Sequence, residues 1–567
     1  MTSPAKRWQV APELTPAAAH ELRVYNPILA QLLFNRQIDT ARAADGFLSA
    51  RQEHSRDPFD IQDMAAAVER ISAAVSAGEC IAIYGDYDVD GVTSTALMVL
   101  LLESYGVQVT PYIPHRFDEG YGLNKIAIDN LKSNGVGLVV TVDCGIRALE
   151  EAEYARKIGL DMVITDHHHV GSELPQAHAV INPKREDDSY PEKMLAGVGL
   201  AYKLAQALVS SLPKVEGVAA ENWLDLVALG TVADLAPLRG ENRLLVREGL
   251  STLNRSAREG VKSLIRIARL TEGSIKASNI GFQLGPRINA AGRLYSAMTA
   301  FNLLTTHRED RAERLADQLE AHNQERRELT HNITEHAREI ALEAHHEYLL
   351  FAAHESFNAG VVGLVASRLA DEFYRPVFVA EIRPESGRSV GSARSIPDFN
   401  VTAALDDCEE LLVRYGGHAA AAGFTVTNEN REALADRLRE AAAQQLQSTD
   451  LRPTVSVDME VQLRDLSFDL VQLLDQLEPC GYGNRIPVLI ARDVEILNHR
   501  TVGHDARHLK MSVRDGDSPP LDAIAFGAGE WASKLPRNID VVFELEINEW
   551  QGRRNLQLNV RDLRLSL

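Results

Sequence analysis

The chain has 567 residues, too many for one hydrophobic core, so three or four domains of ordinary size are expected. Its 45% apolar and 25% charged content is that of a soluble globular protein, and no apolar run approaches the length of a membrane span. A net charge of −21 argues against a protein that coats DNA through a general positive field, but leaves open phosphate binding by a metal-filled acidic pocket with a local arginine track.

The opening MTSPAKRWQVAPELTP lacks the apolar core of a signal peptide, which predicts a cytoplasmic location. Cys80, Cys144, Cys408 and Cys480 form no C-x-x-C, so free thiols are expected rather than a disulfide framework or a zinc knuckle. Residues 1–75 read as Ala-rich helices, through PELTPAAAHEL, PILAQLLFNR and DMAAAVERISAAV, and carry no evident chemistry.

From residue 76 to 305 the texture is βα alternation: strand 81–85, helix 93–105, strand 107–113, helix 123–133, strand 138–142, helix 147–158, strand 161–165 and AVIN at 179–182. That implies an α/β fold with a doubly wound, largely parallel sheet, in which ligands collect beyond the carboxyl ends of the strands. The stretch IAIYGDYDVDGVTST organises the reading: a strand ends at Gly85, Asp86, Asp88 and Asp90 follow at alternate positions, and a helix opens with Thr93 and Ser94 as expected caps. Carboxylates gathered where a buried strand stops repel one another unless a cation lies between them, and hard divalent ions prefer such oxygens. Asp143 follows GLVVTV, while Asp166, His167, His168 and His169 follow DMVIT. Asp234 follows LVALGTVA, which the pattern leaves undecided between helix and strand.

Each piece has a plainer reading. The D-x-D-x-D-G spacing fits the start of an EF-hand loop, but Leu97 stands where the closing glutamate belongs and a strand precedes it. A haloacid-dehalogenase phosphatase would also place aspartates at a strand end, yet it leaves Asp143 and the histidines unexplained. A lone Asp143 or Asp234 would be a cap or turn residue. Together they read as a metal site whose mixed Asp and His donors suit manganese or magnesium better than structural zinc. A carboxylate bridging two ions would hold them about 3.5–4 Å apart, as phosphoester hydrolysis uses, and Gly91 with the helix-opening amides adds donors for a phosphate.

Residues 306–346 are dense in charge with an apolar stripe at Leu315, Leu319, Leu329, Ile333 and Ile340, predicting a long connecting helix whose arginines form a solvated face. EYLLFAAH and RPVFVAEI with VGLVASRLADEF between them predict a second small α/β domain over 347–447, where Gly416, Gly417 and His418 read as a glycine turn before an Ala-rich helix. Alternation from Val455 through HLKMSV, LDAIAF, VVFELEI and LQLNV predicts a β-barrel of the OB type over 452–567. Its candidates for single-strand contact are His508, Lys510, Trp550, Arg553 and Arg554, although the last three fit an ordinary exposed turn equally well.

In this order, YGDYDVDGV, TVDCG, TDHH and GTVADLAP resemble the motifs of the DHH phosphoesterase superfamily. PHRFDEGYGL, LAGVGLAYKL, GPRINAAGRL, NAGVVGLVASRL, GSARS and GGHAAAAG resemble its single-strand-specific exonuclease branch, over nearly the whole chain after about residue 55. The resemblance implies that Asp88, Asp90, Asp143, His167 and Asp234 bind two divalent ions, Mn2+ or Mg2+, with Asp143 as the bridge and Asp86 as a further metal carboxylate. It implies catalytic roles for Asp90, Asp143 and His168, the last touching a metal or holding the substrate phosphate, and makes Asp166 the partner that orients a histidine. His169 and Asn358, which stands where many relatives have histidine, receive no role. Arg116, Arg293, Ser392 and Arg394 are implied to hold the 5′ end of a strand, where a guanidinium fork matches phosphate oxygens. Arg287 is a further candidate, and His418, in a DHH-associated domain facing the metals across a cleft, is implied to contact the substrate near the scissile phosphate. The implied activity is two-metal hydrolysis of single-stranded DNA from 5′ to 3′, releasing 5′-mononucleotides in DNA repair and recombination. Implied partners are a single-strand-binding protein and a RecQ-type helicase, for a monomeric enzyme. Two rivals stand beside it. A phosphodiesterase for short oligonucleotides or other small phosphoesters has no use for the barrel and the long helix, and an inactive single-strand-binding relative would not need the complete ligand set.

Overall fold

The structure, a computed structural model, describes residues 5–49, 57–116, 119–120, 122–256, 258–344, 346–550 and 552–566. The chain divides into two units, Val10–Glu320 with Val457–Leu567, and Ala321–Ser456 with the start of the chain up to Gln9.

In the larger unit, CIAIYG over Cys80–Gly85 and VGLVVTV over Val136–Val142 are buried nearly throughout, as continuous apolar runs in a doubly covered parallel sheet must be. The sheet runs Val109–Tyr112, Cys80–Gly85, Val136–Val142, Asp161–Thr165, Ala179–Ile181, with every pair parallel. Register sets where the acidic residues emerge. Gly85 pairs with Val142 and Val142 with Thr165, so the next residues, Asp86, Asp143 and Asp166, leave neighbouring strands at one level of one edge.

Helix Val89–Ser104 is buried from Val89 to Leu102, enclosed rather than amphipathic. Each fully buried Val, Leu or Met side chain there contributes about 1.5–3 kcal/mol, a sum large enough to offset a costly acidic rim. The helix opens four residues earlier than expected. Asp88 is its N-cap, with Oδ1 accepting from the Gly91 amide at 3.1 Å, so Asp90 lies in the first turn. The expected caps Thr93 and Ser94 lie inside the helix instead, where the Thr93 and Thr95 hydroxyls donate back to the carbonyls of Val89, Asp90 and Gly91. The run LVALGTVA lies in helix Leu224–Ala233, so Asp234 ends a helix rather than a strand.

A closed barrel runs Leu489–Val502, His508–Arg514, Leu521–Ala525, Arg553–Leu565, Asn538–Trp550 and back to the first strand, with Met459–Glu460 added outside. The expected OB-type barrel is therefore present. Leu22, Leu29, Leu32 and Leu33 from the first helices share one core with Leu489, Phe543 and Leu558 of the barrel. Helix Met64–Ala77 instead joins the core of the parallel sheet.

Helix Glu309–Glu343 has 35 residues, and Ala312, Ala316 and Leu319 on its first part pack into the sheet domain's core. The smaller unit has a five-stranded sheet in the order Leu412–His418, Ala421–Thr427, Arg388–Arg394, Val377–Arg383, Leu350–His354, parallel only in its last pair. The expected Ala-rich helix after Gly416, Gly417 and His418 is a strand instead: His418 pairs with Ala421 and Ala422 with Ala393, so hairpin pairing overrides the helix propensity of alanine. Among the described residues, no helix is long and apolar enough to cross a membrane.

Candidate metal centre

Asp86 and Asp143 arrive from adjacent strand ends. Asp143 has φ 62°, a left-handed conformation that aspartate and asparagine tolerate better than most side chains. Asp90 is gripped by main chain: the Gly197 amide donates to its Oδ2 at 2.7 Å and the Val198 amide to its Oδ1 at 2.8 Å, where helix Gly197–Ser211 begins. A Cβ on Gly197 would lie 2.7 Å from the Asp143 Cβ, and one on Gly230 2.4 Å from Thr93 Oγ1 and 3.0 Å from Asp90 Oδ1. The LAGVG and ALG glycines thus let two helices close onto the carboxylates. Sequence reading gave these positions no role, although a Gly-Val-Gly opening an apolar helix was the available signal.

Three overlapping donor sets result: Asp86, Asp88 and Asp143; Asp90, His167 and Asp234; Asp143, His167 and His168, each with ligand atoms within 4.8 Å of one another. His167 Nε2 lies 3.1 Å from Asp143 Oδ1 and 3.8 Å from Asp90 Oδ2, and its Nδ1 lies 3.8 Å from Asp234 Oδ2. Asp86 Oδ1, Asp143 Oδ1 and His167 Nε2 are buried and make no hydrogen bond. Such atoms are costly to bury unless something completes them, and an oxygen-rich set with imidazole and no thiolate fits Mg2+ or Mn2+.

The electrostatics agree. Burial, then repulsion between neighbours, raises Asp86 and Asp143 well above the usual carboxyl range, Asp90 to about 7 and Asp234 to about 9. Burial and the neighbouring His168 lower His167 to about 3, keeping it neutral as a metal ligand must be. His168 goes the other way. Burial works against its charged form, but Asp166 Oδ1, 2.7 Å from Nδ1, with the charges of Asp88 and Asp90, raises it. Asp166 is fixed in turn by the Ile146 amide at 2.9 Å and the His168 amide at 3.0 Å; burial raises its carboxyl, and these contacts bring it below the ordinary range. The expected orienting role of Asp166 therefore falls on His168. Lys184, which sequence reading passed over, donates from Nζ to the His167 carbonyl and carries its charge toward Asp234 and Asp166. Asp166→Asn is expected to lower turnover by roughly 10- to 100-fold and to move the alkaline limb of the pH–rate profile downward, because the carboxylate that keeps His168 protonated is gone. A profile that keeps its shape would reduce Asp166 to a packing role.

Arg116 lies over the Tyr87 ring, 4.9 Å from its centroid. A Cβ on Gly292 would be 2.5 Å from the Tyr87 carbonyl oxygen, which brings the helix carrying Arg293 against the same acidic turn. Burial raises the Tyr87 phenol to about 12 with Asp86 adding to it, while the charges of Arg116 and Arg293 pull it down. The two arginines thus bear on one tyrosine beside the metal donors. Glu119 braces the Arg116 loop, accepting from the His115 amide at 2.8 Å and the Tyr112 hydroxyl at 2.6 Å; Phe117, Asp118 and Tyr121 of the PHRFDEGYGL motif lie outside the described residues. Arg287 is engaged elsewhere, its Nε 2.6 Å from Glu320 Oε2 and its Nη1 donating to the Gln283 carbonyl at 2.8 Å.

In the smaller unit Arg394 Nη1 donates to Ser392 Oγ at 2.9 Å, and a Cβ on Gly363 of NAGVVG would lie 3.1 Å from Arg394 Nη2 and 3.2 Å from Ser392 Oγ. His418 is exposed at the hairpin end. On the barrel, Lys510 lies 3.2 Å from Asp522, the His508 ring stands edge-on to Phe526, and Arg554 pairs across the hairpin with Glu549; the Trp550 side chain lies outside the described residues.

Family models match three stretches: the DHH family, N-terminal domain over residues 80–231, the DHHA1 domain over 345–447 and the RecJ OB domain over 457–562. The chain is 39% identical over 572 residues to the single-stranded-DNA-specific exonuclease RecJ of Bacillus subtilis (strain 168), spanning 100% of this chain and 72% of that protein. The chain belongs to the RecJ family. RecJ of Escherichia coli (strain K12) is 35% identical over 563 residues, 95% of this chain and 96% of that one. The crystal structure of Thermus thermophilus RecJ in complex with Mn2+ matches with a TM-score of 0.83 at 28% identity, covering 99% of this chain and 80% of that one. The same RecJ in complex with Mg2+ matches at 0.79, covering 98% and 78%. The exonuclease branch that the motifs resemble is thus RecJ, and the α/β architecture with a closed C-terminal barrel is the RecJ fold. Those two ions are the ones that the Asp and His donors suit here.

Proposed function

We propose that this chain is a single-stranded-DNA-specific exonuclease that hydrolyses phosphodiester bonds at a two-metal centre and serves DNA repair and recombination. The observation that carries this reading is the Asp143 carboxylate, buried, without a hydrogen bond at Oδ1, and common to two donor sets.

Asp86, Asp88 and Asp143 would hold one divalent ion and Asp90, His167 and Asp234 the other, with Asp143 reaching both. When bound, the ions supply an activated water and offset the charge that builds on the phosphoryl oxygens. His168, protonated and oriented by Asp166, holds a phosphate oxygen and neutralises part of that charge. The Gly197 and Val198 amides keep Asp90 in place without a moving part. Arg116 and Arg293 take the 5′ end, whose terminal phosphate offers a guanidinium more oxygens than an internal one. In the smaller unit Ser392 and Arg394 form a phosphate-binding pair and His418 a further substrate contact, whereas Arg287 ties its helix to the long helix through Glu320. Direction from 5′ to 3′ and release of 5′-mononucleotides rest on the kinship with RecJ, and a pocket for the 5′ end would set that polarity. The same kinship supports a cytoplasmic monomer that works beside a single-strand-binding protein and a RecQ-type helicase. It also supports a division into an N-terminal helical region, a DHH domain, a connecting helix, a DHH-associated domain and an OB-fold domain.

The test is product analysis of a long single-stranded DNA labelled at either end, with manganese, beside a matched duplex. Labelled mononucleotide released at once from the 5′ end alone, with the duplex intact, is the expected result. Intact long strands alongside cleaved dinucleotides would overturn it in favour of a small-substrate phosphodiesterase.

A further inference from the structure

Residues Ile280–Leu284 form a π-helical turn between Ala277–Asn279 and helix Gly285–Leu294. A π turn inserts a residue into helical pitch and re-aims the side chains around it, and such turns concentrate at functional sites. Here it presents Phe282 at 83% exposure, the highest of any large apolar side chain among the described residues. The residues around it are anchored. A Cβ on Gly281 would lie 3.9 Å from Val232 Cγ1, and one on Gly285 3.5 Å from Ala233 Cβ, so the turn rests on the last two residues before the metal-site residue Asp234.

Phe282 is not alone there. Leu235, directly after Asp234 and in a left-handed conformation with φ 59°, is 66% exposed. Tyr482 is 62% exposed, and its carbonyl accepts from the Leu238 amide at 2.7 Å. Single exposed apolar residues need no explanation, but two aromatics and a leucine around one short stretch beside a charged centre do. The metal donors and arginines account for phosphates and leave the bases of a strand without a partner. A base offers the flat apolar face that an exposed aromatic ring stacks on, and every base has one, so a stacking contact suits an enzyme indifferent to sequence. Bases in a duplex already stack on each other, so the same contact favours a single strand.

We propose that Phe282 is a stacking platform for one nucleobase of the strand whose phosphate is held at the Asp234 side of the metal centre. This rests on the exonuclease reading above. The experiment compares wild type, Phe282→Ala and Phe282→Trp on a 5′-phosphorylated single strand in manganese, with one abasic residue placed in turn at each nucleotide near the 5′ end. Phe282→Ala should lower kcat/KM on intact DNA by about 5- to 150-fold, mainly through KM, with Trp restoring most of it. At one abasic position the difference between wild type and Phe282→Ala should vanish, because the base that stacks is already missing. Unequal activity at every position, or equal activity on intact DNA, would overturn the proposal. Melting temperatures of the two variants within the error of wild type exclude misfolding, and with a shifted Phe282→Ala the wild-type abasic scan decides: one position alone must lower kcat/KM, and an even profile would overturn the proposal. Failure of wild type to cleave the strand would overturn the exonuclease reading instead.

Discussion

Asp143→Asn is expected to abolish hydrolysis of single-stranded DNA and, in chelator, to raise the melting temperature of the same protein. The two effects have one cause. Asp143 is buried among Asp86, Asp88, Asp90 and Asp234, and burial together with those four charges raises its carboxyl well above the ordinary range. Without metal, its charge is only a cost, and asparagine keeps the shape and tolerates the φ of 62° while removing that cost. With metal, losing a donor common to two of the three sets removes several kcal/mol of transition-state stabilisation, which at 1.36 kcal/mol per decade is a loss on the order of a thousand-fold or more. Activity within tenfold of wild type would show that Asp143 is not a shared ligand. A lower melting temperature in chelator would contradict the repulsion.

Manganese is expected to stabilise the chelator-stripped protein, and by more at high pH than at low. Asp90 and Asp234 keep protons up to about 7 and about 9, against about 4 in an unfolded chain. For a carboxyl raised in the folded state, the penalty of ionisation is absent below the unfolded value and complete only above the folded one. These two groups therefore make the metal-free protein less stable as pH rises across that window. His167, lowered from 6.5 to about 3, costs stability only below about 6.5. A comparison between about pH 6.5 and about pH 8.5 is thus free of His167 and reports the aspartates together with His168, whose raised imidazole also loses its stabilising charge as pH rises. Cation binding displaces their protons, so apparent affinity rises with pH, and a hundredfold excess over Kd contributes about 2.7 kcal/mol. Melting curves with and without Mn2+ at the two pH values check this. A shift that shrinks as pH rises would mean that the ion is not held by these carboxylates.

Much of this centre was legible in the sequence. The apolar runs ending at Gly85, Val142 and Thr165 locate strand ends, and in a parallel sheet strand ends are where ligands gather, so Asp86, Asp143 and Asp166 were found by position alone. What escaped was set by distant parts of the chain. Thr93 looked like a better start for an apolar helix than Asp88, but Asp88 had a free amide at Gly91 to cap. The Gly197 and Val198 amides hold Asp90 across more than a hundred residues, and no local pattern announces such a grip. The π turn at Ile280–Leu284 was equally silent, since it differs from an α-helix by the placement of one residue. The Ala-rich stretch after His418 misled in the opposite sense, because strand pairing decides there and alanine's preference does not.

The packing of Leu22, Leu29 and Leu33 into one core with Phe543 and Leu558 has a consequence at the ribosome. The leucines emerge roughly 500 residues ahead of the strands that cover them. At about 5–20 residues per second the wait is on the order of 25–100 s. Through that time a leucine-rich helical segment is available to chaperones, while the parallel sheet can assemble behind it. Deleting the first helices would therefore injure the barrel, far away in sequence, before it touched the nuclease core.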